Sequence, residues 1–241
     1  FKGDIRDKAL VLKWFNNKKF DAIIHLAAIV PIKMVNSDKK KAYDVNYIGT
    51  KNIIDLVKKQ NIKWFFFSST SHVYSSTKKK ISEKSKIKPI SYYGKTKLLA
   101  ERYVIQELKK SKTGYCIARI FSTTNKNQKK NYLVPDLKKK IKSAKKKLTL
   151  YNLSHYRDFV SMKDISKIIF YLYRKKFNGI INIGSGRGIY LKDIAIYISN
   201  YYKKIIEFKD NKKRSYLVAN INKLKKIYKK KLIKDFKKLI F

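Results

Sequence analysis

Ser91-Tyr92-Tyr93-Gly94-Lys95-Thr96-Lys97-Leu98-Leu99-Ala100-Glu101 is the stretch around which the rest of the chain is organised. Pro89 just upstream and Ser91 as N-cap predict that a helix starts here. Tyr93 and Lys97 lie one turn apart on one face, and the stripe continues through Ala100, Val104 and Leu108. An apolar stripe faces a core. A Tyr and a Lys at its leading end therefore point inward, where a lysine is seldom placed without a task. Acid–base chemistry is such a task. A neighbouring ammonium favours the phenolate and draws a phenol, with an ordinary pKa of about 10, toward neutrality.

The spacing alone does not decide the matter. The chain contains 18 Tyr, and Tyr-x-x-x-Lys recurs at Tyr47/Lys51, Tyr74/Lys78 and Tyr171/Lys175, as composition would give by chance. The flanking segments must discriminate. Lys8 to Asn16 reads as a short helix, Phe20 to Ala28 as a buried strand, and Lys41 to Gln60 as a helix. Lys63 to Ser69 is a second buried strand, ending in the hydroxyl run Ser68–Ser71 before His72-Val73-Tyr74. The Tyr93 helix runs to about Lys110, and Gly114 to Phe121 is a third strand. Strands alternating with helices predict parallel βαβ units. Beyond Ser122 come a Lys-rich helix, a short strand at Leu148–Leu150, Arg157-Asp158-Phe159-Val160, a helix Ile165–Tyr173 with Asp164 as its N-cap, a strand Gly179–Ile183 and a helix from Leu191.

Composition narrows the function. At 241 residues and 44% hydrophobic, the chain can bury a large core. Its one cysteine, Cys116, forms no internal disulfide and points to a reducing compartment. No apolar run approaches a membrane span, and Phe1-Lys2-Gly3-Asp4 does not open a signal peptide. The net charge of +44 invites a nucleic-acid partner. However, the lysines are spread over the whole chain, and only seven basic residues are Arg. Enrichment in Lys, Asn, Ile, Tyr and Phe is what AT-rich codons produce, so we read the charge as compositional drift with nonspecific polyanion binding as its by-product. His25, His72 and His155 are scattered without metal-ligand spacing, so no metal is expected. His25 reads as a core imidazole. No G-x-S-x-G elbow is present. Gly184-Ser185-Gly186-Arg187-Gly188 has the wrong spacing for a dinucleotide fingerprint and reads as a turn.

Taken in register, these segments resemble the extended short-chain dehydrogenase/reductase family, in its nucleotide-sugar epimerase/dehydratase branch. Gly3-Asp4-Ile5-Arg6, His25-Leu26-Ala27-Ala28, Asn46-Tyr47-Ile48-Gly49-Thr50, Ser68 through Tyr74 and Tyr93 through Lys97 match its motifs in order. The resemblance implies an α/β fold: a Rossmann-type doubly wound parallel sheet over residues 1–122, and a smaller α/β substrate domain mostly within 123–241, interleaved with the last strands of the sheet. It implies catalytic Thr70, Tyr93 and Lys97. Asp4, Ile5, Ala27 and Ala28, with Tyr93 and Lys97, would bind NAD or NADP. Thr70, Ser122, Arg157 and Arg214 would bind a nucleoside-diphosphate sugar, with an Arg157–Asp158 ion pair as the plain alternative for Arg157. The implied setting is cytoplasmic, a homodimer is compatible with it, and neither a specific nucleic acid nor a membrane is expected as partner.

Three departures modify the expectation. The family's first strand, Gly-rich loop and second strand have no counterpart, which predicts a fragment lacking roughly 50 to 60 residues and the first βαβ unit, inactive by itself. Ser71-His72 stands where dehydratases carry Asp-Glu, which favours an epimerase or ketoreductase over a sugar-nucleotide 4,6-dehydratase. Ser122 stands where many members have Asn. An inactive fragment or a basic polyanion-binding protein is the reading from outside the enzyme class.

Overall fold

A computed structural model describes residues 1–16, 19–211, 214–233 and 235–241. Helix α1 (Lys8–Asn16) precedes strand β1 (Ala22–His25). Two short helices, α2 (Ile32–Ser37) and α3 (Lys39–Tyr43), lead through a π-helical turn (Asp44–Ile48) into α4 (Gly49–Lys59). Then come β2 (Trp64–Thr70), a 3-10 turn (Ser71–Val73), α5 (Tyr92–Leu108) and β3 (Gly114–Ile120). The second half runs β4 (Ser122–Thr124), α6 (Leu133–Lys142), β5 (Leu148–Tyr151), β6 (His155–Arg157), β7 (Phe159–Ser161), α7 (Met162–Arg174), β8 (Gly179–Ile183) and β9 (Ile189–Tyr190). It closes with α8 (Leu191–Tyr201), β10 (Ile206–Lys209), β11 (Ser215–Leu217), α9 (Asn222–Ile227) and α10 (Lys237–Ile240). The chain divides into two units: residues 1–75, 85–120 and 167–181 form the first, and 76–84, 121–166 and 182–241 the second.

The first unit carries a sheet of order β1-β2-β3-β8. Its β1/β2 and β2/β3 ladders are parallel, in register from Ala22↔Trp64 and from Trp64↔Gly114 to Thr70↔Ile120. Phe65, Phe66 and Phe67 in succession are fully buried, so both faces of β2 are covered. That is why this segment reads as an unbroken apolar run rather than an alternating one. Val11 and Phe15 of α1, Ile53 and Val57 of α4 and Val104 and Leu108 of α5 pack into one core with Phe65 and Phe67. Helix α5 starts where its sequence predicts: the Ser91 hydroxyl accepts from the Gly94 N–H at 3.1 Å. Its buried face is the predicted stripe Tyr93, Lys97, Ala100, Val104 and Leu108.

The helix predicted over 41–60 is continuous from Lys39 to Lys59 but not α-helical throughout. A π-turn at Asp44–Ile48 separates α3 from α4. The turn aims Asn46 inward, where its side chain has three partners, an arrangement typical of π-bulges at functional sites. Asp164 is likewise not the cap of its helix. The chain is already helical at Met162, Ser161 Oγ accepts from the Asp164 N–H at 2.9 Å, and the Asp164 carboxylate instead accepts from the Ile233 N–H.

The second unit holds three small sheets, β10-β5, β11-β6-β9 and β4-β7. Its core gathers Val134, Leu137 and Ile141 of α6 with Ile194 and Ile198 of α8 and Leu150 of β5. The 184–188 segment is a turn, as its spacing predicts. Asp158, fully buried, accepts from Ser185 N and Oγ, Gly186 N and Ala219 N at 2.6 to 3.1 Å. Burial pushes that carboxyl's pKa upward against these four hydrogen bonds. A side chain at Gly184 would lie 2.7 Å from the Asp158 carboxylate, which explains the glycine.

Candidate active site

The first unit brings Thr70, Tyr93 and Lys97 to one end of β2. Thr70 is the last residue of β2, and its Oγ1 accepts from the His72 N–H at 3.3 Å. Among the described residues nothing accepts the Thr70 hydroxyl proton, so that O–H can still be donated. The turn that follows is clamped onto the start of α5. His72 O accepts from Ile90 N at 3.1 Å, His72 Nδ1 lies 3.0 Å from Ser91 Oγ, and the His72 and Tyr93 rings meet edge-on at 5.9 Å. Gly94 allows this approach, because a β-carbon there would sit 2.3 Å from the His72 carbonyl oxygen.

Lys97 is the unusual residue. It is 1% exposed, and its ammonium sits over the Phe67 ring at 4.0 Å. Among the described residues it has neither an ion-pair partner nor a hydrogen-bond acceptor. Glu101, one turn on, supports the charge only at a distance, and burial pulls the Lys97 pKa down to about 7. The reason Glu101 does not pair with it is structural. Glu101, itself 1% exposed, is taken by a bidentate ion pair with Arg119 of β3 (Nη2–Oε2 2.8 Å) and by the Ser69 hydroxyl. Arg119 continues to Tyr74 Oη at 3.0 Å. Burial opposes the Arg119 charge, but the Glu101 hydrogen bonds and charge prevail and raise its pKa.

Asn46 is the second polar anchor. Its Oδ1 accepts from Ile29 N at 2.8 Å, and its Nδ2 donates to Ile29 O and to Thr96 Oγ1, both at 3.1 Å. It thereby ties the segment after β1 to the turn of α5 that carries Tyr93 and Lys97. Thr50 Oγ1 donates to Asn46 O at 2.8 Å and meets His25 Nε2 at 3.0 Å. Since the Thr50 proton is spent on Asn46, His25 must donate through Nε2. Burial and the Lys97 charge hold it neutral, with a pKa of about 3, so His25 is the core imidazole the sequence suggests.

The remaining expected cofactor residues are spread along the front of the same unit. Ala27 is exposed and Ala28 half-buried after β1. Asp4 lies on the surface in an ion pair with Arg6 (2.6 Å), whose hydrogen bonds hold it down to about 2. Ile5 is buried against Gly49, and Asn52 Nδ2 donates to Ile5 O and Arg6 O at 3.1 Å. Among the described residues no cluster of three His, Cys, Asp or Glu could hold a metal, and no helix is long and apolar enough to cross a membrane.

The expected substrate residues Ser122, Arg157 and Arg214 belong to the second unit. Arg157 does not pair with Asp158, whose oxygens are filled as described. Its Nη1 donates only to backbone carbonyls, Tyr156 O at 2.8 Å and Ser215 O at 3.4 Å, and among the described residues it has no ion pair. Burial lowers its pKa to about 10. Arg214 is exposed at the start of β11. Tyr156 and Arg157 are consecutive on β6, so their side chains leave opposite faces. Arg214 lies with Tyr156, its guanidinium 6.0 Å from that ring.

The sequence profile described as "NAD dependent epimerase/dehydratase family" matches residues 1–184. The chain belongs to this family. It is 31% identical over 215 residues to GDP-6-deoxy-D-talose 4-dehydrogenase of Aggregatibacter actinomycetemcomitans, covering 86% of this chain and 71% of that one. It is 26% identical over 209 residues to UDP-glucose 4-epimerase of Lactobacillus helveticus, covering 78% and 63%. The X-ray structure of Pal from Bacillus thuringiensis superimposes with a TM-score of 0.89 at 27% identity, covering all of this chain and 80% of that one. The chain thus spans under two thirds of the UDP-glucose 4-epimerase it matches. In this family member the Tyr93/Lys97 pair stands apart from the other three Tyr-x-x-x-Lys spacings by its surroundings: a buried cation, a hydroxyl at a strand end and a glycine-permitted close approach. Sequence reasoning met Asn46 only as the first residue of a family motif, without a role, and did not single out Glu101 or Arg119. Glu101 carried a legible signal, as an acidic residue four after Lys97 on an otherwise apolar face.

Proposed function

We propose that the protein interconverts nucleoside-diphosphate sugars, as an epimerase or ketoreductase, by moving hydride between a sugar carbon and NAD or NADP. The observation that carries the reading is Lys97, a buried ammonium with no partner among the described residues, one turn from Tyr93 and beside the strand end bearing Thr70. An unpartnered buried cation costs stability and persists where a ligand completes it. The vicinal hydroxyls of a nicotinamide ribose are acceptors of the kind it lacks, so the residues present fit this cofactor. When bound, the nicotinamide supplies the hydride acceptor or donor. Asp4, Ile5, Ala27 and Ala28 complete the proposed cofactor set.

The chain's own residues handle the proton. Tyr93 exchanges it with the sugar hydroxyl or carbonyl, and Lys97 favours the phenolate. Thr70 donates its uncommitted O–H to the same oxygen. Asn46 and the Glu101–Arg119 pair hold the turn of α5 and the end of β2 that present these groups. Arg157, charged and without a carboxylate partner, is assigned to the substrate diphosphate, which a guanidinium can engage bidentately, and Ser122 to the sugar. Ser71 and His72 provide no carboxylate for water elimination, which is why we prefer epimerisation or reduction to dehydration. The buried Cys116 thiol suits a cytoplasmic setting.

The test is an assay of UDP-, dTDP- and GDP-sugars with each dinucleotide, on the chain supplied with the family's first βαβ unit, comparing the wild type with Tyr93→Phe. The expected loss is on the order of 10²- to 10⁴-fold in turnover with little change in substrate binding. Unchanged turnover would sink the assignment.

A further inference from the structure

One end of the second unit carries exposed apolar side chains and cations together. Helices α6 and α8 share a core, and each runs into a strand of the same parallel pair. Leu148 of β5 stands beside Ile206 of β10, and Leu148 N donates to Ile205 O at 3.0 Å. The two links, 143–147 and 202–205, therefore lie side by side. Ile205 is 71% exposed, more than any other large apolar side chain among the described residues, and Tyr201 is 61% exposed. Phe241 stacks on Tyr201 at 4.0 Å and meets Tyr202 at 6.1 Å. Lys138 lies over the Phe241 ring at 4.3 Å, and Lys142 over that of Tyr202 at 6.0 Å.

Lys142, Lys145, Lys146 and Lys203, from the end of α6 and from the two links, are all exposed. Segments 137–148 and 196–207 hold nine lysines and one carboxylate, that of Glu207, which Lys147 pairs at 2.5 Å. The whole chain holds 60 basic and 16 acidic residues, so the ratio at this end exceeds what composition supplies. Neither segment is long and apolar enough to read as a membrane span. The patch exists only because the fold sets the two links next to each other.

We infer that this end of the second unit docks on the surface of an anionic phospholipid bilayer. Ile205 and Tyr201 enter the boundary between headgroups and acyl chains, which suits an aliphatic side chain and an amphipathic phenol. The lysines meet lipid phosphates while their stems lie along the apolar patch. Nucleic acid shares the charge complementarity but not the apolar one. Phe241 covers one face of the Tyr201 ring, and Ile205 offers a base no stacking surface. The docking does not depend on the enzymatic reading, because no residue of the proposed catalytic or cofactor set takes part in it.

Cosedimentation of the full chain with phosphatidylcholine vesicles, with and without phosphatidylglycerol, tests this near physiological salt. Binding is expected only where phosphatidylglycerol is present. Neutralising Lys145, Lys146 and Lys203 together to Gln should weaken it by roughly tenfold or more. Ile205→Ser, a surface change, should weaken it by roughly tenfold with the charge untouched. Neutralising Lys109, Lys110 and Lys112, an exposed lysine cluster of the first unit, should change it by less than about twofold. A tryptophan introduced by Tyr201→Trp should be quenched by lipids brominated in their acyl chains, beyond any quenching of Trp14 and Trp64 in the wild type. Three results would overturn the inference: equal losses from the two lysine triples, vesicle binding indifferent to Ile205→Ser, or a single-stranded oligonucleotide held more tightly than the vesicles through Lys145, Lys146 and Lys203. Circular dichroism of each variant separates loss of docking from loss of the fold.

Discussion

Replacing Lys97 with Met should stabilise the protein near neutral pH while abolishing its function. The lysine ammonium is 1% exposed and has only an aromatic face beneath it. Burial lowers its pKa from 10.5 to about 7. Between those two values the unfolded chain binds a proton that the folded chain does not, so stability must rise with pH across that window. At about 1.4 kcal/mol per tenfold, the folded protein carries a penalty of about 5 kcal/mol below pH 7, where the charge is buried outright. By about pH 9 the folded lysine is neutral, and the remaining penalty is about 2 kcal/mol. Met fills nearly the same volume without the charge, so Lys97→Met removes the penalty at both pH values. Urea unfolding of both proteins at about pH 6.5 and about pH 9 gives the difference directly, and all other titrations, including those of the many surface lysines, cancel between them. The variant's advantage should shrink by about 2 to 3 kcal/mol between the two pH values. A difference that does not change with pH, or a variant less stable at the lower pH, would refute the picture of an uncompensated buried ammonium. A function that needs the charge explains why such a penalty is retained.

Two further outcomes follow from the same packing. Arg119→Met leaves the Glu101 carboxylate buried with the Ser69 hydroxyl as its main support; it should cost about 3 to 5 kcal/mol in urea unfolding, and adding Glu101→Gln should recover part of it. Gly94→Ala places a β-carbon where only 2.3 Å separates it from the His72 carbonyl oxygen. It should cost about 1 to 3 kcal/mol and lower turnover more than substrate affinity, because the turn carrying Thr70 must retreat from Tyr93.

How much of this was legible beforehand depends on how local the cause is. The alternation of apolar runs with 3.6-periodic segments is a local property, and so β1, β2, α5 and β3 lie where the chain's own pattern places them. The Ser91 cap and the buried stripe through Lys97 are local for the same reason. The family motifs in register separated Tyr93/Lys97 from three equally spaced pairs, which spacing could not do.

Tertiary structure decided which polar groups are spent and which are left over. Glu101 is consumed by Arg119, eighteen residues away, and that leaves Lys97 without a counter-ion. Asn46 reaches Thr96 across fifty residues, from a π-turn within the predicted 41–60 helix. Asp158 turns to Ser185, Gly186 and Ala219 rather than to its neighbour, and so leaves Arg157 as a bare cation. Strand parity then sends Tyr156 and Arg157 to opposite faces of β6, and Arg214 packs on the Tyr156 ring. Each is a competition among partners distant in the chain, settled by the distances the fold imposes, and composition and spacing carry no record of which partner wins.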